Sequence, residues 1–385
     1  MKEFKSILKE LDKLDLSTRR AAIATVVQVR GSSYRTPGAR MLITDDGRWV
    51  GSISGGCLEG DALRQARQVM IDKLPQTVTY DTREGSNQNL GISLGCNGVI
   101  DVLIEPVDVS DSLDTIGTYK RLVAAPSPMA MATVFGGPGK DIGKKLLFEE
   151  EAGATGNVED RDLFSRLTHD LGLLLTDRTS IARKYVLDSG TYDVFLELIQ
   201  PSVSLIIFGG GFDARPVSKL AKTLGWDVTV TDECVAHIAP LFFPTADKLS
   251  LCQRTYIDRD FQVTANTACV LMSHNYEYDR DVLRKLLPTP TPFIGILGPR
   301  KRFDKMLAEY SRDGLTLTDN DFSRVHAPVG LDIGAEAADE IAVSIIAEIQ
   351  SKFANRDGGS LKYRRGPIHE RDTVSDQVFK QLYIN

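Results

Sequence analysis

Residues 203–232, VSLIIFGGGFDARPVSKLAKTLGWDVTVTD, decide the fold. Val203 to Phe208 is a short apolar run, the pattern of a strand buried on both faces. It enters Gly209-Gly210-Gly211-Phe212-Asp213-Ala214, after which Val217, Leu220, Ala221 and Leu224 recur at helical spacing until Gly225. A second strand, Val228-Thr229-Val230, ends in Thr231-Asp232. Strand, glycine turn, helix and strand indicate a parallel, doubly wound sheet. Gly209, Gly211 and Ala214 fit G-x-G-x-x-A, with Asp232 placed to reach a ribose hydroxyl. A nucleotide such as NAD(P) is the ligand that this turn suggests, its phosphate meeting N–H groups at the helix start. Asp213 opposes that reading by placing a negative charge in the turn, with Arg215 as a compensating cation. A turn of this kind also persists as plain architecture without its ligand.

Downstream, Cys269-Val270-Leu271-Met272 and Phe293 to Leu297 are further strands, each followed by a helical pattern, and residues 336–350 form a last amphipathic helix. Polar groups gather at the predicted strand ends, where open α/β sheets bind ligands. They are Ser273-His274-Asn275 leading to Asp279, Gly298-Pro299-Arg300-Lys301-Arg302, and His326-Ala327-Pro328. His274 and His326 are candidates for proton transfer or ligand binding, or are capped structural histidines. Arg300 and its neighbours suit an anion, or form a solvated helix face.

Upstream, residues 31–61 read GSSYRTPGARMLITDDGRWVGSISGGCLEGD. A strand through Trp49 to Ile53 enters Ser54-Gly55-Gly56 and delivers Cys57 at the start of a helix predicted over 57–72. A thiol at a helix N-terminus is favoured as thiolate. Cys57 is therefore a reactive or ligand-binding residue, or a small buried residue in a tight turn. Cys96, in Leu94-Gly95-Cys96-Asn97-Gly98, is a second glycine-flanked thiol. Other predicted strands cover 22–29, 40–44, 77–80 and 99–104. Residues 111–200 echo this block: Ala24-Thr25-Val26 returns as Ala132-Thr133-Val134, Met41-Leu42-Ile43 as Leu146-Leu147-Phe148, and Val102 to Pro106 as Phe195 to Pro201. The expected organisation is 1–110, 111–200 packing with it, 201–350, and a polar arm over 351–385.

The composition sets limits. An apolar fraction of 42% over 385 residues builds real cores in two or three domains. Net charge −6 and pI near 5.5 argue against nucleic acid or an anionic membrane as partner. Five cysteines without a CxxC pair fit a reducing cytoplasm, and no apolar run is long enough to cross a bilayer.

GSSYRTPGARM, DGRWVGSISGGCLEGD, LGCNG, SHNYEYD, FIGILGPRKR and HAPVGLDIGAEAADEIAVSIIAEI resemble the XdhC/CoxI family, accessory proteins of xanthine dehydrogenase and related molybdenum hydroxylases. The resemblance implies an N-terminal mixed α+β domain carrying SGGC and a C-terminal Rossmann-like domain. It also implies a chaperone that binds molybdenum cofactor (molybdopterin), assists its sulfuration, and hands it to a client molybdenum hydroxylase. A cysteine desulfurase would be a further partner and a homodimer the assembly. Carried over by motif, Ser54, Gly55, Gly56, Cys57, Gly95 and Cys96 are cofactor-contacting positions. Cys57 and Cys96 are expected to lie within a few ångströms of one another at the interdomain cleft, there to contact molybdenum or relay sulfur. Cys57, Cys96 and His274 are the residues for any chemistry. Gly209, Gly211, Asp232, His274, Arg300 and His326 complete the binding set. The sequence departs from the family at Gly209 to Asp213, where Gly-Ala-Gly-His is usual. An NAD(P)-dependent oxidoreductase and a scaffold with an empty Rossmann fold are the competing functions.

Overall fold

The computed structural model describes residues 1–83, 98–107 and 115–365. Two compact units meet in sequence at Pro201 and Ser202. In the first unit the elements are α1 (Lys2–Leu11), β1 (Ala21–Gly31), β2 (Arg40–Thr44), β3 (Trp49–Gly51), α2 (Glu59–Asp72), β4 (Gln76–Asp81), β5 (Gly98–Pro106) and α3 (Thr115–Ala124). There follow β6 (Met129–Gly136), β7 (Lys145–Glu149), β8 (Gly153–Gly156), α4 (Arg161–Asp177), β9 (Ile181–Leu187) and β10 (Gly190–Ile199).

These strands make two antiparallel sheets of the same topology, ordered β3-β2-β1-β5-β4 and β8-β7-β6-β10-β9. The sequence echo falls on matching registers: Ala24 lies opposite Met41 and Ile104, and Ala132 opposite Leu146 and Leu196. Each central strand bulges at the corresponding residue, Val27 in β1 and Phe135 in β6. A bulge turns an extra side chain out of the ladder. Here Val27 and Phe135 use that freedom to meet Leu103 and Phe195 in one buried cluster. Helix α2 covers one sheet, α4 the other, and α1 and α3 share a core with both.

Two buried ion pairs obey the same symmetry. Arg40 faces Thr25 in β1, as Lys145 faces Thr133 in β6. Arg40 Nη1 donates to Glu197 Oε1 at 2.8 Å, and Lys145 Nζ is paired with Glu105. Each half thus supplies its cation to the carboxylate of the other. Arg40 also bonds the Gly38 carbonyl and Lys145 the Gly143 carbonyl, which keeps buried donors occupied.

The second unit contains β11 (Ser204–Phe208), α5 (Ala214–Thr223), β12 (Asp227–Asp232), β13 (Lys248–Leu251), α6 (Ile257–Asp260), β14 (Thr267–Leu271) and α7 (Tyr276–Leu286). It ends with β15 (Phe293–Ile296), α8 (Arg300–Arg312), α9 (Asp319–Arg324), β16 (Val325–His326) and α10 (Ala338–Phe353). The six strands are parallel, in the order β13-β12-β11-β14-β15-β16, which is the Rossmann order. Both faces are covered, as the apolar runs require. Leu205 and Ile207 join α5 and α10 on one side, and Ile206 and Phe208 join α7 and α8 on the other. Among the described residues no helix is long and apolar enough to cross a membrane.

Candidate functional site

In the first unit the Ser54-Gly55-Gly56 turn is wrapped around a side chain. Helix α2 begins at Glu59, two residues later than the predicted start, and the Glu59 carboxylate folds back over the loop. It accepts the backbone N–H groups of Ile53 (3.1 Å), Ser54 (3.0 Å), Gly55 (3.2 Å), Gly56 (2.9 Å) and Leu58 (3.2 Å). The hydroxyls of Ser52 (2.7 Å) and Ser54 (2.5 Å) donate to it as well. Burial alone would raise the pKa of this carboxyl, but the hydroxyl and N–H donors outweigh it and hold the value at about 2.

This wrapping explains the glycines. Gly55 and Gly56 have φ of +90° and +119°, a region that side chains disfavour. A Cβ on Gly55 would also meet the Tyr34 ring at 2.8 Å. Tyr34 lies against the loop with 71% of its surface exposed, and Cys57, preceding the helix by two residues, is an exposed thiol. Gly95 and Cys96 lie outside the described residues, so the proposed pairing of the two thiols does too. The other described cysteines differ among themselves. Cys234 is exposed, whereas burial pushes the thiol of Cys252 up to about 11 and that of Cys269 to about 12.

In the second unit Gly209, Gly211, Asp232 and His274 come together at the C-terminal edge of the sheet. A Cβ on Gly209 would strike the Ser273 backbone at 2.5 Å, one on Gly210 the His237 carbonyl at 2.5 Å, and one on Gly211 would meet the His274 ring at 3.4 Å. The protein's own packing accounts for the first two glycines. Asp232 accepts the N–H groups of Gly210 (2.9 Å) and Cys234 (2.8 Å) and faces His237 Nδ1 at 3.1 Å. Its carboxylate is engaged within the turn. Asp213 precedes α5 and sits 3.2 Å from His274 Nε2, while Arg215 stacks on Phe242 at 3.8 Å. The group that faces Asp213 is therefore His274, in the loop between β14 and α7.

Beside them, buried Asp279 accepts from Ser273 Oγ and Arg302, and burial still raises its pKa despite these donors. Arg300 donates to the Ala327 carbonyl at 3.2 Å and pairs with Asp304. His326 is held by Glu348 at 2.8 Å and stacks on Phe293. The geometry thus commits His326 to α10. Glu59, Tyr34 and His237 are the site residues that sequence reasoning missed. Two serines and two glycines ahead of an acid are the local signal for Glu59.

Comparison with known proteins places both units. The description "XdhC and CoxI family" matches residues 16–81 and "XdhC Rossmann domain" matches 205–349. A Bacillus subtilis protein whose name makes it a probable subunit of xanthine dehydrogenase is 33% identical, over 88% of this chain and 95% of its own. The molybdenum cofactor insertion chaperone PaoD of Escherichia coli is 22% identical over 91% of this chain and 88% of its own. A crystal structure described as a xanthine dehydrogenase from Bacillus halodurans superposes with a TM-score of 0.73 at 28% identity, covering 92% of this chain and 98% of that one.

Proposed function

The chain belongs to the XdhC and CoxI family, and from that premise we propose that it is a maturation factor for a molybdenum hydroxylase. In this reading its cargo is molybdenum cofactor, received at the Cys57 loop and delivered to a client of the xanthine dehydrogenase type. The names of the Bacillus subtilis and Escherichia coli relatives support a role in cofactor insertion. The observation that carries the assignment to the first unit is an exposed thiol on a loop whose backbone is fixed from within.

The chemistry of the cargo can be compared with the donors present. A dithiolene-bound molybdenum is soft, and a thiol is the matching protein ligand. The phosphate end is a different matter. Five N–H groups of the loop already meet the Glu59 carboxylate, so an anionic handle finds no free donor among them. Cys57 would therefore contact the metal and sulfur end, with Gly95 and Cys96 as a second proposed contact. Sulfuration belongs to the same proposal, with a cysteine desulfurase as the sulfur source.

A nicotinamide oxidoreductase has less support, because Asp232 is already bonded to Gly210 and Cys234. The functional test is transfer. Client apoenzyme is incubated with released molybdenum cofactor and either this protein or its Cys57→Ala variant. Wild type should raise client activation above cofactor alone, and the variant should not. Equal activation by both would remove Cys57 from the delivery step.

A further inference from the structure

We infer that Glu59 is the positioning residue of the cargo site, fixing the approach of Cys57, an inference that rests on Cys57 being the contact group. An ordinary helix start satisfies one or two of its orphan N–H groups with a capping side chain. Glu59 instead accepts from five N–H groups and two hydroxyls, all within residues 52–58. Among the described residues of the run from Ile53 to Leu58, Cys57 is the one whose N–H is not aimed at the carboxylate. The backbone is therefore drawn inward on either side of Cys57, and the thiol stands at the turn's exposed side. Ser54 closes the arrangement, since its Oγ donates to Glu59 while accepting the Leu58 N–H at 2.8 Å.

The demand on residue 59 is specific. Glutamine presents an NH2 group where the loop presents only donors, so one side of the cluster loses its acceptor. Aspartate keeps the charge but is one methylene short of the Ser52 and Gly56 donors while anchored in α2. Tyr34 lies against Gly55, where a Cβ would meet its ring at 2.8 Å.

The test measures the loop and the cargo separately in the full chain. Glu59→Gln is expected to speed hydrogen exchange of the Ile53 to Leu58 amides about ten- to a hundredfold, with exchange in β11 unchanged. The rate of Cys57 alkylation should change at neutral pH, where wild type is compared directly. Retention of released molybdenum cofactor should fall in Glu59→Gln as far as in Cys57→Ala, and the double variant should show no further loss, because the two residues act as one unit. Ser52→Ala/Ser54→Ala provides a milder loosening should Glu59→Gln fold poorly, and should lie between wild type and Glu59→Gln on both readouts. Fast loop exchange with wild-type alkylation and retention would overturn the inference while leaving the cargo site intact. Wild-type retention by Cys57→Ala would refute the functional reading instead, and alkylation kinetics would then decide the role of Glu59 alone.

Discussion

Glu197→Gln tests how the two halves of the first unit are joined. Arg40 is 2% exposed, and its guanidinium bonds Glu197, the Gly38 carbonyl and the Tyr119 hydroxyl while lying 4.3 Å from the Phe4 ring centre. Burial would weaken its protonation, but the facing Glu197 charge, together with Tyr119 and the hydrogen bonds to both, more than offsets this and holds the cation. Removing that charge leaves a guanidinium in a dry core with only neutral acceptors. Stranding one member of a buried pair costs about 3–5 kcal/mol. At about 2–4 °C per kcal/mol for a unit of this size, melting should fall by roughly 6–20 °C. Removing both charges should be milder, because no ion is left behind. Arg40→Met/Glu197→Leu should therefore be more stable than either single change. Thermal and urea unfolding of the full chain, with hydrogen exchange in β1 and β6 to identify the unit, gives both quantities. A loss below about 1 kcal/mol for Glu197→Gln, or a double variant as unstable as the sum of the singles, would refute the reasoning.

Two further outcomes follow from the acid–base environment. At pH 8 iodoacetamide should label the Cys57 and Cys234 peptides well before those of Cys252 and Cys269, whose thiols are buried and raised to about 11 and about 12; peptide mass spectrometry reads the order. Glu59 has a folded pKa of about 2, below the roughly 4.3 of a free glutamate, so its contribution is complete above the unfolded value and is lost as pH falls from about 4.5 toward 2. The stability gap between wild type and Glu59→Gln should accordingly narrow in urea titrations between pH 5 and pH 2, and a gap independent of pH would contradict the charge-based account.

What the sequence disclosed depended on range. The run from Leu205 to Phe208 and its glycine turn announce a buried parallel strand because the signal is local and continuous. Ala24 and Ala132 reveal the repeated sheet because each is buried at the same register of its sheet's central strand, so the same small residue is demanded twice. Glu59 was hidden, since an acid in the first turn of a helix already suits the dipole and gives no reason to look for a fold-back. A helical pattern read from Cys57 starts α2 two residues early, because Cys57 and Leu58 belong to the loop that wraps Glu59. Arg40 and Glu197 were equally silent: each is a polar residue on an alternating strand, and the pairing spans 157 positions. Asp232 was legible as the acid ending β12, but its direction depends on the Gly210 and Cys234 N–H groups.

The most direct test of the account is molybdenum retained after gel filtration of the full chain exposed to released cofactor, measured for wild type, Cys57→Ala and Cys234→Ala. Cys234 is also an exposed thiol, in the other unit, and controls for nonspecific sulfur binding. Wild type and Cys234→Ala should hold the metal alike, with Cys57→Ala losing most of it. Equal retention by all three proteins would contradict the claim that the cargo is met at Cys57.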